Sequence, residues 1–247
     1  MAGLLRGRYE ARFAETAEDV RRGQRLRYLC FRGNRDDGSD GIDADPFDDR
    51  CHHLLVEEVQ TGRLVCCFRL LTFQNGEDID ASYAAQFYEL EKLKAFDGKM
   101  VEMGRFCIHP DVRDPDILRI AWGAMTEFVD REGIELLFGC SSFHGVEAEE
   151  YTDAFALLKE RHIAPKRWLP RVKAPSVFRF GNRLRLRKPN LKLAMKGMPP
   201  LLRTYLVMGG WVSDHAVVDT DLNTLHVFTG LEVRDIPSSR KRLLRAV

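Results

Sequence analysis

The run Lys99-Met-Val-Glu-Met-Gly-Arg-Phe-Cys-Ile-His109 decides how the rest of the chain is read. It is apolar, β-prone and ended by Pro110, which predicts a strand over 100–109. Side chains on a regular strand alternate faces, so residues three apart point opposite ways. Here the apolar phase slips: Val101 and Met103 are odd-numbered, Phe106 and Ile108 even-numbered. The slip predicts a β-bulge, with Gly104 supplying the backbone angles that a bulge requires. One inserted residue would place Glu102 and Arg105 on a shared face. It would also pry the strand from its neighbour, opening a slot where unpaired backbone N–H groups can meet a ligand carbonyl. The plainer reading of the same two charges is an ordinary surface ion pair.

Working outward, a helix is predicted over 16–31, capped by Thr16, with Glu18 and Asp19 in its first turn and Val20, Leu26 and Leu29 marking the inner side. Arg27 and Phe31 are i,i+4 neighbours on it. An aspartate-rich loop follows, with seven acids between Asp36 and Asp49. A hairpin is then expected, His53–Val59 and Leu64–Phe73, turning at Thr61-Gly62, with Arg69 inside its second strand. Beyond it the pattern predicts a short helix over 82–96 from Phe87, Leu90 and Leu93, and a helix over 115–132 stopped by Gly133. A strand over 134–141 and a helix over 147–162 complete a βαβ-type order.

Composition bounds the answer without deciding it. The 247 residues are 45% hydrophobic, enough for one large domain or one domain with an elaborated end. No apolar run approaches the ~20 residues that cross a bilayer, and no signal-peptide pattern opens the chain. Six cysteines (Cys30, Cys51, Cys66, Cys67, Cys107, Cys140) are scattered without a C-x-x-C pair and read as reduced residues of a cytoplasmic protein. The formal net charge of +1 conceals strong segregation: from Arg161 to Arg203 there are thirteen Lys or Arg and no Asp or Glu. The last residues, 238–247, read as a frayed basic tail.

Four motifs together, Arg27-Tyr-Leu-Cys-Phe31, Asp45-Pro-Phe-Asp48, Phe68-Arg69-Leu70 and Glu102-Met-Gly-Arg105, resemble the acyl-homoserine-lactone synthases, a branch of the GNAT acyltransferases. A second set resembles the bacterial ornithine-lipid N-acyltransferases more closely. It comprises His53-Leu-Leu-Val56, Phe138-Gly-Cys-Ser-Ser-Phe-His-Gly145, Pro199-Pro-Leu-Leu-Arg-Thr-Tyr-Leu206 and Asp219-Thr-Asp-Leu-Asn-Thr224. The resemblance covers roughly residues 15–231. It implies an α/β fold with a GNAT-like mixed central sheet flanked by helices and a basic C-terminal extension. The expected organisation is an N-terminal extension (1–15), an acyltransferase core (16–162), a basic part completing the fold (163–237) and a tail (238–247). It further implies transfer of a 3-hydroxyacyl chain from the phosphopantetheine thioester of acyl carrier protein to the α-amine of L-ornithine, giving lyso-ornithine lipid, with no bound cofactor.

Such a transfer needs a deprotonated amine and a polarised thioester carbonyl. Glu102 is the candidate base, acting directly, through a water, or as a group that orients substrate; a neighbouring Arg105 would lower its basicity. Backbone N–H groups at Arg105, Phe106 and Cys107 are candidates for the carbonyl oxygen, and the small residues Cys140 and Ser141 make room for the pantetheine arm. Arg27, Phe31, Asp45, Asp48 and Arg69 are candidates for the amine pocket. The two aspartates either receive the ammonium groups of ornithine or tie the arginines into an ionic network. Arg183, Arg185 and Arg187, in the acid-free stretch, offer a surface to acidic carrier protein or to anionic lipid, with Trp168, Leu169, Phe178 and Phe180 as possible apolar contacts.

Several rivals are weaker. Cys140 with His144 would suit a covalent thioesterase, but small residues at this strand end more simply make room for the pantetheine arm, and the stretch lacks the second glycine of the nucleophile elbow that a serine hydrolase needs. Asp43-x-Asp45 is followed by Pro-Phe where an EF-hand needs a third ligand and glycine, and Cys51-His52-His53 alternates faces, so no metal site is expected. The turn Asp111-Val-Arg-Asp-Pro-Asp116 contains no glycine to cradle a CoA pyrophosphate, which favours a carrier-protein donor. A lactone synthase is disfavoured because Arg32-Gly-Asn-Arg35 lacks that family's tryptophan. A nucleic-acid-binding protein is disfavoured because basic charge alone is not a reading motif.

Overall fold

A computed structural model of the chain describes residues 3–33 and 41–245; Asp36, Asp37 and Asp40 of the acidic loop lie outside the described residues. In chain order the elements begin with strands β1 (Leu4–Arg6) and β2 (Tyr9–Phe13), helix α1 (Ala17–Phe31), and strands β3 (His52–Glu58), β4 (Leu64–Phe73), β5 (Tyr88–Glu89) and β6 (Met100–Ile108). Helix α2 (Pro115–Glu132), strand β7 (Leu136–His144), helix α3 (Thr152–Arg161), strands β8 (Arg171–Val172) and β9 (Val177–Phe178) and helix α4 (Phe180–Arg183) follow. Helices α5 (Leu191–Gly197) and α6 (Pro200–Val207), strands β10 (Trp211–Val212), β11 (Ala216–Asp219) and β12 (Thr224–Glu232), and helix α7 (Ser238–Arg245) complete the chain. These elements form two compact units. The first comprises Met1–Thr72, Met103–Ile134 and Ser238–Val247, and the second Phe73–Glu102 and Glu135–Pro237.

In the first unit β1, β2, β3 and β4 pair antiparallel in sequence order. The end of β6 lies beside the start of β4, where His109 N donates to Val65 O at 2.8 Å, so this pair is antiparallel too. Strand β3 is buried on both faces, which explains its unbroken His53-Leu-Leu-Val56. Leu55 packs with Leu26 of α1, Cys67 and Cys107, while Phe13, paired with Leu54, meets Phe128 of α2 at 5.6 Å between ring centroids. Helix α1 starts where the sequence places it, with Thr16 Oγ1 accepting from Asp19 N at 3.1 Å. Helix α2 ends at Gly133, whose φ of 66° gives the left-handed cap.

In the second unit β7, β12, β11 and β9 are antiparallel neighbours. The first residues of β6 lie beside the start of β7, with Leu136 N donating to Lys99 O at 3.2 Å, so these two strands run parallel and the sheet is mixed. One face of the β7–β12 pair carries Phe143, Leu225 and Val227 into a core shared with α3 and α5. The other carries Phe138 and Phe228, stacked at 5.7 Å.

Two local expectations fail. The segment 82–96 is not a helix: it folds as 3₁₀ turns Ala84–Gln86 and Glu91–Ala95 around β5. Pairing of β5 with β8, Tyr88 opposite Val172 and Glu89 opposite Arg171, interrupts the segment in its middle. Glu102 accepts from Tyr83 N and Ala84 N, and Ser82 Oγ from Ala85 N. Nor do residues 238–245 of the expected tail fray; 246–247 lie outside the described residues. Ser238–Arg245 form α7, and Arg245 makes a two-pronged contact with Asp130 of α2 at 2.8 and 2.9 Å.

Candidate active site

The left-handed residue on β6 is Arg105, with φ of 54°, and Gly104 stays outside that region. The unusual angles thus lie one residue beyond the glycine at which the phase slip places them. Sterics do not demand glycine at 104 either: a Cβ there would lie 3.6 Å from Arg69 Nε, an ordinary van der Waals contact. A left-handed arginine costs about 1–3 kcal/mol. Its side chain supplies the compensation. Arg105 Nε donates to Asp43 Oδ2 at 3.1 Å and Nη2 to Asp45 Oδ2 at 3.2 Å, and its guanidinium lies 6.0 Å from the Phe31 ring centroid.

Those contacts belong to a charge-balanced cluster of three arginines and three aspartates, all in the first unit. Arg27, carried inward on α1, donates from Nε to Asp43 Oδ2 at 2.8 Å and from Nη1 to Asp48 Oδ1 at 2.7 Å. Arg69, inside β4, donates from Nη1 to Asp48 Oδ1 at 2.6 Å and from Nη2 to Asp45 Oδ2 at 2.8 Å. Gln24 Nε2 adds a bond to Asp48 Oδ2 at 2.9 Å, and Phe47 lies 5.5 Å under the Arg69 guanidinium. Burial opposes the charge of Asp48, yet hydrogen bonds from Arg27, Gln24 and Arg69 hold its carboxyl well below the usual carboxylate range. Asp45 is lowered in the same way: burial works against it, and Arg69 and Arg105 prevail.

Burial divides the cluster into floor and rim. Arg27, Asp43, Asp48 and Arg69 form the buried floor, whereas Asp45 and Arg105 are 18% and 12% exposed at the side chain. Phe31 is half-buried beside them. An ammonium or a carboxylate arriving from solvent therefore meets Asp45 and Arg105 first. Asp43 was missed as a partner because the sequence suggested it only for calcium. Charge arithmetic was the available signal, since three buried or half-buried arginines require a third acid.

The remaining candidates lie elsewhere. Glu102, 4% exposed in the second unit, caps the Ala84–Gln86 turn through bonds of 2.8 and 2.7 Å from Tyr83 N and Ala84 N. Phe106 stacks on Phe68 at 5.4 Å. The Cys107 side chain points into the core of the first unit, its Sγ 3.6 Å from Cys67 Sγ. Bonding to Cys30 and Cys67, together with burial, keeps that thiol protonated far above its usual range. In the second unit Ser141 Oγ accepts from Thr229 Oγ1 at 2.9 Å, and Cys140 is half-buried opposite Phe228. Cys140 and His144 sit on one strand, separated by about 13 Å at ~3.3 Å per residue, so they form no nucleophile pair. Arg183 lies 5.5 Å over the Phe178 ring, Arg187 pairs with Asp153 at 3.3 Å, and Arg185 is exposed.

Residues 26–123, which contain the whole cluster, match the acetyltransferase (GNAT) domain family. Over 230 residues the chain is 33% identical to an L-ornithine N(alpha)-acyltransferase of Rhodobacter capsulatus, covering 89% of this chain and 88% of that one. This chain belongs to the L-ornithine N(alpha)-acyltransferase family. A second relative of that name, from Brucella abortus, is 29% identical over 94% of this chain and 87% of its own. The α/β, GNAT-like fold of this chain is shared by a solved CoA-dependent acyl-homoserine lactone synthase, BjaI. That structure matches with a TM-score of 0.50 at 15% identity, over 93% of this chain and 82% of the synthase. The chain is thus an acyltransferase whose arginine–aspartate cluster lies within the GNAT-matched region.

Proposed function

We propose that the enzyme moves a 3-hydroxyacyl chain from the phosphopantetheine of acyl carrier protein to the α-amine of L-ornithine, releasing lyso-ornithine lipid. The observation that carries this reading is the rim of the cluster. Asp45 and Arg105 present one carboxylate and one guanidinium side by side, a complement for the ammonium and carboxylate of an amino acid, over a floor whose charges already balance. The names of the relatives supply ornithine as the acceptor.

In the proposed reaction the free amine attacks the thioester carbonyl carbon; the C–N bond forms, the C–S bond breaks, and the pantetheine sulfur leaves as a thiol after gaining a proton. Glu102 receives the amine proton, directly or through a water, or orients the amine. Backbone N–H groups at Arg105 to Cys107 polarise the carbonyl, a contribution of ~3–4 kcal/mol for one well-placed donor. Phe31 flanks the amine pocket, and Cys140 and Ser141 line the pantetheine arm. A carrier donor is supported at α2, whose N-terminus is occupied by its own cap: Asp114 Oδ1 accepts from Asp116 N at 2.9 Å. An acidic cap and a glycine-free turn are a poor receptacle for pyrophosphate. The work is assigned to the cytoplasm, at the inner face of the bacterial membrane. Among the described residues no helix is long and apolar enough to cross a membrane.

The test is mass spectrometry of products from the purified enzyme, 3-hydroxyacyl carrier protein and a panel of amino acids. N-acyl-ornithine is expected. Product with S-adenosylmethionine and none with ornithine would replace this reading with lactone synthesis.

A further inference from the structure

The acid-free stretch carries more than charge. Leu186 is 88% exposed, Leu191 49%, Leu193 53% and Met195 44%. Isolated exposed apolar residues are ordinary, but four large ones within ten residues are not. Arg183, Arg185, Arg187, Lys188, Lys192 and Lys196 are interspersed with them, all exposed, and no acid lies between. The segment is also held in place. Lys159 Nζ donates to the carbonyl oxygens of Leu184, Arg185 and Arg187 at 3.2–3.3 Å, and Asn190 Oδ1 caps α5 by accepting from Lys192 N and Leu193 N. Inward, α5 contributes Ala194, fully buried, to the core of the second unit. Phe178 and Phe180, the aromatic contacts expected from sequence, belong to that same core and are not available for a surface role.

We propose that residues 183–196 form a membrane-seating surface, with Leu186, Leu191, Leu193 and Met195 entering the interface of an anionic bilayer while the surrounding cations meet its phosphate headgroups. Charge complementarity alone would suit an acidic carrier protein equally. The exposed aliphatic side chains decide for lipid: Leu186 precedes α5, and on α5 Leu193 lies across Lys192 and Lys196 from Leu191 and Met195, so apolar and cationic groups alternate over the exposed surface, and an anionic bilayer interface offers contacts to both at once. The inference deepens the peripheral location proposed above, and its test requires no turnover. It therefore fails or holds independently of the ornithine reading.

The test is cosedimentation of the full chain with vesicles of phosphatidylcholine alone or of phosphatidylcholine with phosphatidylglycerol, at 0.1 and 1 M salt. Wild type is expected to partition about tenfold more strongly onto the anionic vesicles at low salt, since the Debye length is ~10 Å there and ~3 Å at 1 M. The decisive variant is Leu186→Ser with Leu191→Ser, Leu193→Ser and Met195→Ser, which leaves net charge unchanged and should lower binding at least tenfold. Lys188→Glu with Lys192→Glu and Lys196→Glu should abolish the preference for anionic lipid. All seven positions are exposed, and melting curves check that each variant stays folded. Equal wild-type binding to both vesicles would overturn the proposal, as would a serine variant that binds like wild type. Loss of carrier-protein affinity in the glutamate variant, with vesicle binding insensitive to the serines, would reassign the surface to the carrier.

Discussion

Replacing Asp48 by asparagine removes one negative charge from a cluster that has none to spare. Asp48 accepts from Arg27 at 2.7 and 3.1 Å, from Arg69 at 2.6 Å and from Gln24 at 2.9 Å, and its side chain is 4% exposed. The variant leaves three arginines facing two aspartates and turns an amide N–H₂ toward donors. Breaking a buried ion pair from one side costs about 3–5 kcal/mol. That is a large share of the 5–15 kcal/mol typical of a folded protein. With a urea dependence of about 2 kcal/mol/M, a loss of about 4 kcal/mol moves the unfolding midpoint down by roughly 2 M. Asp45→Asn makes the same chemical change at the more solvated rim and should cost about 1–2 kcal/mol. Urea titrations followed by circular dichroism read both. An Asp48→Asn cost below that of Asp45→Asn would refute the division into floor and rim. The sign with pH is also fixed. Because the folded-state carboxyl is depressed, its contribution is complete above the usual carboxylate range and fades only as pH falls through that range and below it.

Glu102→Gln and Arg105→Ala should each reduce turnover by at least two orders of magnitude while the protein remains folded; near-normal turnover in both purified variants would remove the proposed catalytic pair. Gly104→Ala should cost under ~1 kcal/mol, because the added methyl meets Arg69 Nε at an ordinary 3.6 Å, and a cooperative melt close to wild type is the expected result. Burial pushes the His226 imidazole down to about 4 from 6.5, so it stays neutral in the fold while the unfolded chain takes up a proton. Stability should therefore fall as pH drops from 6.5 toward 4, by about 3 kcal/mol from this residue. Replacing His226 with asparagine should flatten that part of the melting profile, and an unchanged slope would assign the loss elsewhere.

Much of this was legible in the chain. Helix α1, the β3–β4 hairpin, β6 and α2 follow from apolar period, caps and turn glycines, which are local signals. So does the anomaly near residue 104, since the phase slip is visible in the alternation itself. Which residue adopts the left-handed angles was not legible, because it depends on side chains from a distant loop. Asp43 and Asp45 hold Arg105 in a conformation that glycine would adopt at less cost. The 82–96 segment misled for a related reason. Its helical spacing is real, but Tyr88 and Glu89 pair with Val172 and Arg171, more than eighty residues away, and no window of local sequence records that partner.

The division of the first unit among separate chain segments bears on how the protein is made. Helix α7 packs on α2 through Arg245 and Asp130, yet it leaves the ribosome after the whole stretch between Ile134 and Ser238. At ~5–20 residues per second, those roughly one hundred residues take about 5–20 s to appear. During that interval α2 lacks the contact with α7 that Arg245 and Asp130 make. Vectorial synthesis thus makes the last eight helical residues a closing clasp, and a ribosome paused in the second unit would display an unfinished first unit to chaperones and proteases.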